Sequence, residues 1–217
     1  MVNRECQRGS VFFYILIGIV LFAAVSYAVS QSINIGAGDT SMIQDEKARL
    51  EVTQILDFSR NLQGGVQEMK LSGIAASAID FMLPSDLAFD TAPVNAKIFH
   101  SGGGKITYVP VWATLDDKTE ATATSWAFLR NAIDGVGGSG NEIILALVRV
   151  PENVCQSLNK QLTGSATIPN QAGDMVNMFE TGVDAVSAAN CASCVSIPSL
   201  CVRNGNLRVF YSVLDRG

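Results

Sequence analysis

Residues 46–70 read EKARLEVTQILDFSRNLQGGVQEMK. Ala48, Val52, Ile55, Leu62, Val66 and Met69 fall at spacings of three, four and seven. This is the period of an α-helix with a single apolar face. Glu46, Arg49, Asp57, Arg60 and Lys70 fall largely off that face. The pattern predicts an amphipathic helix that lays its stripe on a sheet of its own domain, with contact to neighbouring subunits as a second use. Gly64-Gly65 interrupts the run. Each glycine costs about 1 kcal/mol relative to alanine in a helix interior, so a bend is expected there.

Downstream of Pro84 the pattern changes to short strands. Residues 96–100 and 105–109 flank Ser101-Gly102-Gly103-Gly104, which predicts a hairpin. A triple glycine can also cradle phosphate, but the Lys-Ser/Thr pair and the helix of a P-loop are missing. Residues 125–131 and 142–150 predict further strands, joined by a flexible loop, Asp134-Gly135-Val136-Gly137-Gly138-Ser139-Gly140. Its glycine spacing is not a dinucleotide fingerprint, because a strand follows it. Pro151 opens a helix over 151–162 with Val154, Leu158 and Leu162 inward. Residues 207–214 predict a last strand after a turn at Asn204-Gly205. The fold class is therefore α+β: a long helix against a mainly antiparallel sheet, with a second short helix.

Upstream, residues 31–40 (QSINIGAGDT) form a short polar hinge, and nothing from Gly9 to Gly38 carries a charge. Within that window VFFYILIGIVLFAAVSYAV is almost wholly apolar. About 20 residues of helix cross a hydrocarbon core of roughly 30 Å, so residues 10–30 predict a single transmembrane helix. Arg4 and Arg8 precede it; Asp39, Asp45 and Glu46 follow. The positive-inside rule puts residues 1–9 in the cytoplasm and residues 41–217 outside, as one extracytoplasmic domain. Three fates of the N-terminus are compatible with this. The helix is an uncleaved anchor, or a signal peptide cut at Ser26-Tyr27-Ala28, or the retained helix of a precursor whose basic leader ends at Gly9.

The last possibility carries a family likeness. MVNRECQRG-SVFFYILIGIVLFAAVSYAVSQ resembles the N-terminus of type IV pilin and pseudopilin-like proteins. The resemblance implies cleavage between Gly9 and Ser10, with the apolar helix anchoring the subunit and then packing into a filament core. That family usually carries Glu at the fifth mature position; this chain has Tyr14 there. The chain is similar, more narrowly, to alphaproteobacterial pilin-like proteins. The matching segments are Ile98-Phe99-His100-Ser101-Gly102-Gly103-Gly104, Gly135-Val136-Gly137, Val154-Cys155-Gln156-Ser157-Leu158-Asn159 and Phe210-Tyr211-Ser212-Val213-Leu214. The likeness implies a pilin-like fold, and self-association or partnership with other pilin-like subunits of a type IV pilus or type II secretion machine.

Of five cysteines, Cys6 precedes the anchor, and Cys155, Cys191, Cys194 and Cys201 lie beyond it. Four cysteines in an oxidising compartment predict two disulfides, with three possible pairings. Cys191-Ala192-Ser193-Cys194 also admits a redox motif, and the four together admit a zinc site. The sole histidine, His100, reads as a turn-adjacent structural residue. Asp116, Asp117 and Glu120 read as a solvated loop without a calcium-binding pattern, and Trp112 and Trp126 as core or interface anchors.

The chain has 217 residues, 48% hydrophobic and 16% charged, which suits a packed domain rather than a disordered one. A net charge of −5 with no basic stripe argues against a nucleic-acid partner. The expected function is a non-enzymatic, pilin-like structural or assembly subunit with no cofactor, no metal and no small-molecule ligand. The alternative is a tethered or secreted envelope enzyme, thiol-active through Cys191 and Cys194, or a ligand-binding adaptor.

Overall fold

The computed structural model describes residues 8–37, 40–113, 115, 123–138 and 141–217. The chain divides into two units, Met1–Glu46 and Lys47–Gly217.

The first unit contains helix α1, Arg8–Ala37. Its side chains are described over residues 13–27, and every one of them is exposed, Phe13 at 65% and Phe22 at 77% among them. Over residues 13–27 this helix carries no charge and has no polar face. Among the described residues no helix is long and apolar enough to cross a membrane. Residues 13–27 rise about 22 Å, short of the roughly 30 Å of a hydrocarbon core; the expected span over 10–30 extends beyond them on both sides. The expected hinge is also shorter than its sequence. Residues 31–37 continue α1, because one glycine in QSINIGA costs only about 1 kcal/mol.

Helix α2 is Thr40–Leu71, and in the second unit the sheet is built on its part from Lys47 onward. All six residues of the apolar stripe are buried, none more than 3% exposed. Leu56 and Phe58 join them, so the buried face is wider than the stripe. The expected bend does not occur: α2 runs through Gly64-Gly65 unbroken. The two glycines differ in kind. Gly64 faces open space, whereas a Cβ on Gly65 would stand 2.6 Å from Cγ1 of Ile106. Gly65 is the gap into which Ile106 fits.

The strands are β1 (Ser125–Asn131), β2 (Glu142–Val148), β3 (Ser199–Asn204) and β4 (Leu207–Asp215), in the order β1-β2-β4-β3 and antiparallel throughout. Every residue of β2 is buried, which explains why EIILALV is a continuous apolar run rather than an alternating one. One sheet face, with Leu145 and Leu147 of β2 and Phe210 and Leu214 of β4, packs against α2 and helix α3, Glu152–Thr163. The other, with Ile144, Ala146, Val209 and Tyr211, packs against the five-residue helix α4, Met175–Phe179, and the segment carrying Cys191 and Cys194. Val136 of the Gly-rich β1–β2 connection is buried in this second layer, so the connection is seated on the core.

Several expectations change in detail. Pro151 is the N-cap of α3 rather than its first residue, and its carbonyl accepts the Cys155 N–H at 2.9 Å. Val154 and Leu158 are buried, but Leu162 is 37% exposed; the apolar cluster that α3 joins ends at Leu158. The hairpin over 96–109 has its turn but not its strands. The backbone of 96–98 pairs with Asp80 instead, Asp80 N–H donating to Ala96 O at 2.8 Å and Ile98 N–H to Asp80 O at 2.9 Å. The buried Lys97 ammonium holds this cover in place by donating to the carbonyls of Ala88, Phe89 and Thr91 at 2.6, 2.8 and 2.6 Å. Strand β3 and helix α4 were not expected. Asp174 caps α4, its carboxylate accepting from Val176 N–H at 2.9 Å and Asn177 N–H at 3.2 Å.

The outer edge of β3 is closed by side chain and loop. Asn159 of α3 donates to Cys201 O at 2.7 Å and accepts from Cys201 N–H at 2.8 Å, as a neighbouring strand would. Two residues on, Gln171 N–H donates to Arg203 O and Arg203 N–H to Pro169 O, at 2.7 and 2.9 Å. A closed edge offers no template for pairing with another chain.

Two outcomes follow for stability. Gly64→Ala should stabilise by about 0.5–1 kcal/mol, since the methyl meets nothing, while Gly65→Val should destabilise by about 1–3 kcal/mol, since Ile106 must move; urea unfolding measures both. Tyr211 is fully buried and stacked on Phe179 at 4.9 Å, its hydroxyl donating to Ile197 O at 2.9 Å. Burial pushes its pKa well up. The unfolded chain then releases this proton before the folded one, so the contribution is complete below about pH 10 and is lost as pH rises through the folded value. Above pH 10 the fall of stability should be shallower in Tyr211→Phe than in the parent, by up to about 1.4 kcal/mol per pH unit.

Candidate functional site

Gly9 and Ser10, the expected processing pair, fall in the first turn of α1, with their side chains outside the described residues. Cys6, Asp116, Asp117 and Glu120 also lie outside them.

The four remaining cysteines form two disulfides, Cys155–Cys201 and Cys191–Cys194, with Cα separations of 5.5 and 5.3 Å. Of the three possible pairings this one resolves the choice. The first bond ties α3 to the edge strand β3 beside the Asn159 amide. The second closes the 3-10 turn Ala192–Cys194 on the opposite face of the sheet. The zinc alternative therefore fails: the two pairs are separated by the sheet, and all four sulfurs are in disulfides. Among the described residues no group of three or more His, Cys, Asp or Glu stands together to hold a metal.

The redox alternative meets a second obstacle. Thiol exchange needs an accessible sulfur on a turn that lowers its pKa, typically a helix N-terminus after a strand. Cys191 and Cys194 are both 0% exposed, packed in one cluster with Met178, Phe179 and Tyr211. Their turn is three residues long and follows no strand.

The glycine turn is occupied by its own hydrogen bonds. Gly102 N–H donates to Nδ1 of His100 at 2.9 Å, Gly103 N–H to His100 O at 2.9 Å and Gly104 N–H to Lys97 O at 3.1 Å. None of the three glycine amides is left to point at a phosphate. A Cβ on Gly103 would lie 2.1 Å from Lys97 O, so the glycine is required by close backbone approach. His100 Nε2 stands 3.3 Å from Asp90 Oδ1, and the ring packs on Phe89 at 5.2 Å. With Nδ1 accepting and Nε2 facing a carboxylate, His100 fastens the turn to the 84–93 loop. Trp126 donates from Nε1 to Val109 O at 3.0 Å and lies 5.0 Å from Phe58, an anchor between β1 and α2.

Compared with known proteins, the chain matches no family model, no curated protein and no solved structure.

The two disulfides should contribute unequally. Loop-closure entropy gives about 4 kcal/mol for a 46-residue separation and about 1.5 kcal/mol for a separation of 3. Cys155→Ala with Cys201→Ala should therefore cost markedly more in urea unfolding than Cys191→Ala with Cys194→Ala. A maleimide applied to the native protein after mild reduction should label Cys191 and Cys194 only once denaturant is added. Rapid labelling in the native state would revive the thiol-active reading.

Proposed function

We propose that this chain is a non-enzymatic, pilin-like structural or assembly subunit of an envelope filament or secretion machine. The observation that carries the reading is α1, whose residues 13–27 are uniformly exposed and which the sequence extends, uncharged and apolar, over 10–29. A helix with no polar face is unsuited to water; its natural surroundings are lipid or other apolar helices. Twenty residues rise about 30 Å, the thickness of a hydrocarbon core.

In this reading residues 10–30 anchor the chain once in a bacterial inner membrane, with residues 1–9 cytoplasmic and the α+β unit periplasmic or extracellular. Disulfides between buried cysteines fit an oxidising compartment. The anchor helix then packs laterally against other pilin-like subunits, and Gly9-Ser10 is the point at which a leader peptidase would act. Tyr14 in place of the family's Glu argues for a minor or specialised subunit rather than the main building block of a filament. No nucleic acid is required as a partner, and the buried, paired cysteines give no support to an enzyme working through Cys191 and Cys194.

Deleting residues 1–39 tests the role assigned to α1. The full chain should fractionate with membranes and resist extraction by high salt and alkaline carbonate. The deletion should be soluble and monomeric. Filaments formed by the deleted chain would show that assembly does not run through α1.

A further inference from the structure

Beside the glycine turn lies an open cleft of about 670 Å³, walled by Pro84, Phe89, Phe99, Ile106 and Tyr108. The volume is in the range of small-molecule sites, and so is the make-up: mostly apolar and aromatic surface with a few polar groups. The residues that can supply them are Ser101, Lys105, Thr107 and Tyr108. Among the described residues neither the Lys105 ammonium nor the Tyr108 hydroxyl has a hydrogen-bond or ion-pair partner, unlike the Lys97 ammonium, which has three.

Lys105 carries a second peculiarity. Its φ is +57°, in the left-handed region that glycine enters freely and few side-chain-bearing residues adopt, Arg149 and Ser196 being the others among the described residues. Gly102, Gly103 and Gly104 precede it directly. A turn that already contains three glycines places a lysine at a position with positive φ, and Lys105 is one of the residues that line the cleft. The backbone angle serves the turn, which the Lys105 N–H closes by donating to His100 O at 3.1 Å. The side chain itself is exposed, which leaves its ammonium available to a ligand.

We propose that this cleft binds a small carboxylate carrying a flat aromatic ring, with the ring against Phe89, Phe99 and Ile106, and the carboxylate between Lys105 and Tyr108. The pairing follows from the walls. Aromatic faces and edges favour a ring, and a free ammonium beside a phenol donor favours an anion that accepts both hydrogen bonds. Burial raises the Tyr108 pKa above its ordinary value, so the phenol remains a donor at neutral pH. The proposal is independent of the pilin-like reading; it concerns the Lys47–Gly217 unit alone.

The test uses the full chain in lipid nanodiscs, titrated with phenylacetate and, separately, with its uncharged counterpart phenylacetamide. The readouts are calorimetry and the NMR shift of the Ile106 δ-methyl group. Phenylacetate should bind saturably and shift Ile106, and phenylacetamide should bind at least about tenfold more weakly, the factor expected of one charge-assisted hydrogen bond. Lys105→Gly should lower phenylacetate affinity by about the same factor while raising the unfolding temperature, because the strain is relieved. Tyr108→Phe should keep the fold and lose part of the affinity. No saturable Ile106 shift up to the solubility of the probe would overturn the proposal. So would equal binding of acid and amide, or unchanged affinity in Lys105→Gly.

Discussion

The α+β unit depends on one contact: the apolar face of α2 lying across β2 and β4. Ile55, Leu62 and Val66 are completely buried, as are Leu145, Leu147 and Phe210. Each such side chain contributes about 1.5–3 kcal/mol relative to exposure. The helix and the inner strands depend on each other, because the α2 stripe is covered by this sheet face, which α2 covers together with α3. Polar groups fix the register of this contact. Ser59 of α2 donates to Ser212 of β4 at 2.8 Å, and Ser199 of β3 meets the same hydroxyl at 2.9 Å. At the far end Lys70 pairs with the buried Asp215 at 2.7 Å. The hydroxyls and the ion pair add specificity; a slip by one helical turn would leave them unmatched in the core.

The elements legible in the sequence were those whose burial has a single period. The stripe of α2 repeats over six turns, β1 and β4 are bounded by clear turn residues, and α3 begins at a proline. These require no knowledge of the partner surface. What was not legible depended on tertiary partners. Residues 96–100 have strand-like composition, yet Ala96 and Ile98 bond Asp80, sixteen or more positions earlier, and most of their other backbone bonds are local turn bonds. Strand β3 was hidden because its cysteine and arginine look like loop residues, and its outer edge is completed by an asparagine from a helix. Gly65 read as a weakness because the sequence does not show Ile106 filling the space above it. The alternation of Leu200 and Val202 with Ser199, Cys201 and Arg203 was the available signal for β3.

The candidate sites divide in the same way. The number of disulfides followed from counting, but their pairing did not, because it depends on which face of the sheet each cysteine reaches. Cys155 and Cys201 share the α3 face, and Cys191 and Cys194 the α4 face. That division removes zinc, and burial leaves the Cys-x-x-Cys pair without an exposed sulfur. The cleft at Lys105 was invisible in the sequence: three glycines drew attention to a turn, while the residue that matters is the lysine after them, marked only by its backbone angle.

The functional account joins a head held by buried, covalently stapled packing to a helix suited to an apolar environment. Its central claim is that this helix begins at a processing point and is kept. Intact-mass analysis and N-terminal sequencing of the protein from its native membrane address that claim directly. The account predicts a mature chain that begins at Ser10. A chain beginning at Val29 would contradict it by making the protein a released soluble one, and an unprocessed chain beginning at Met1 would reduce α1 to a plain anchor.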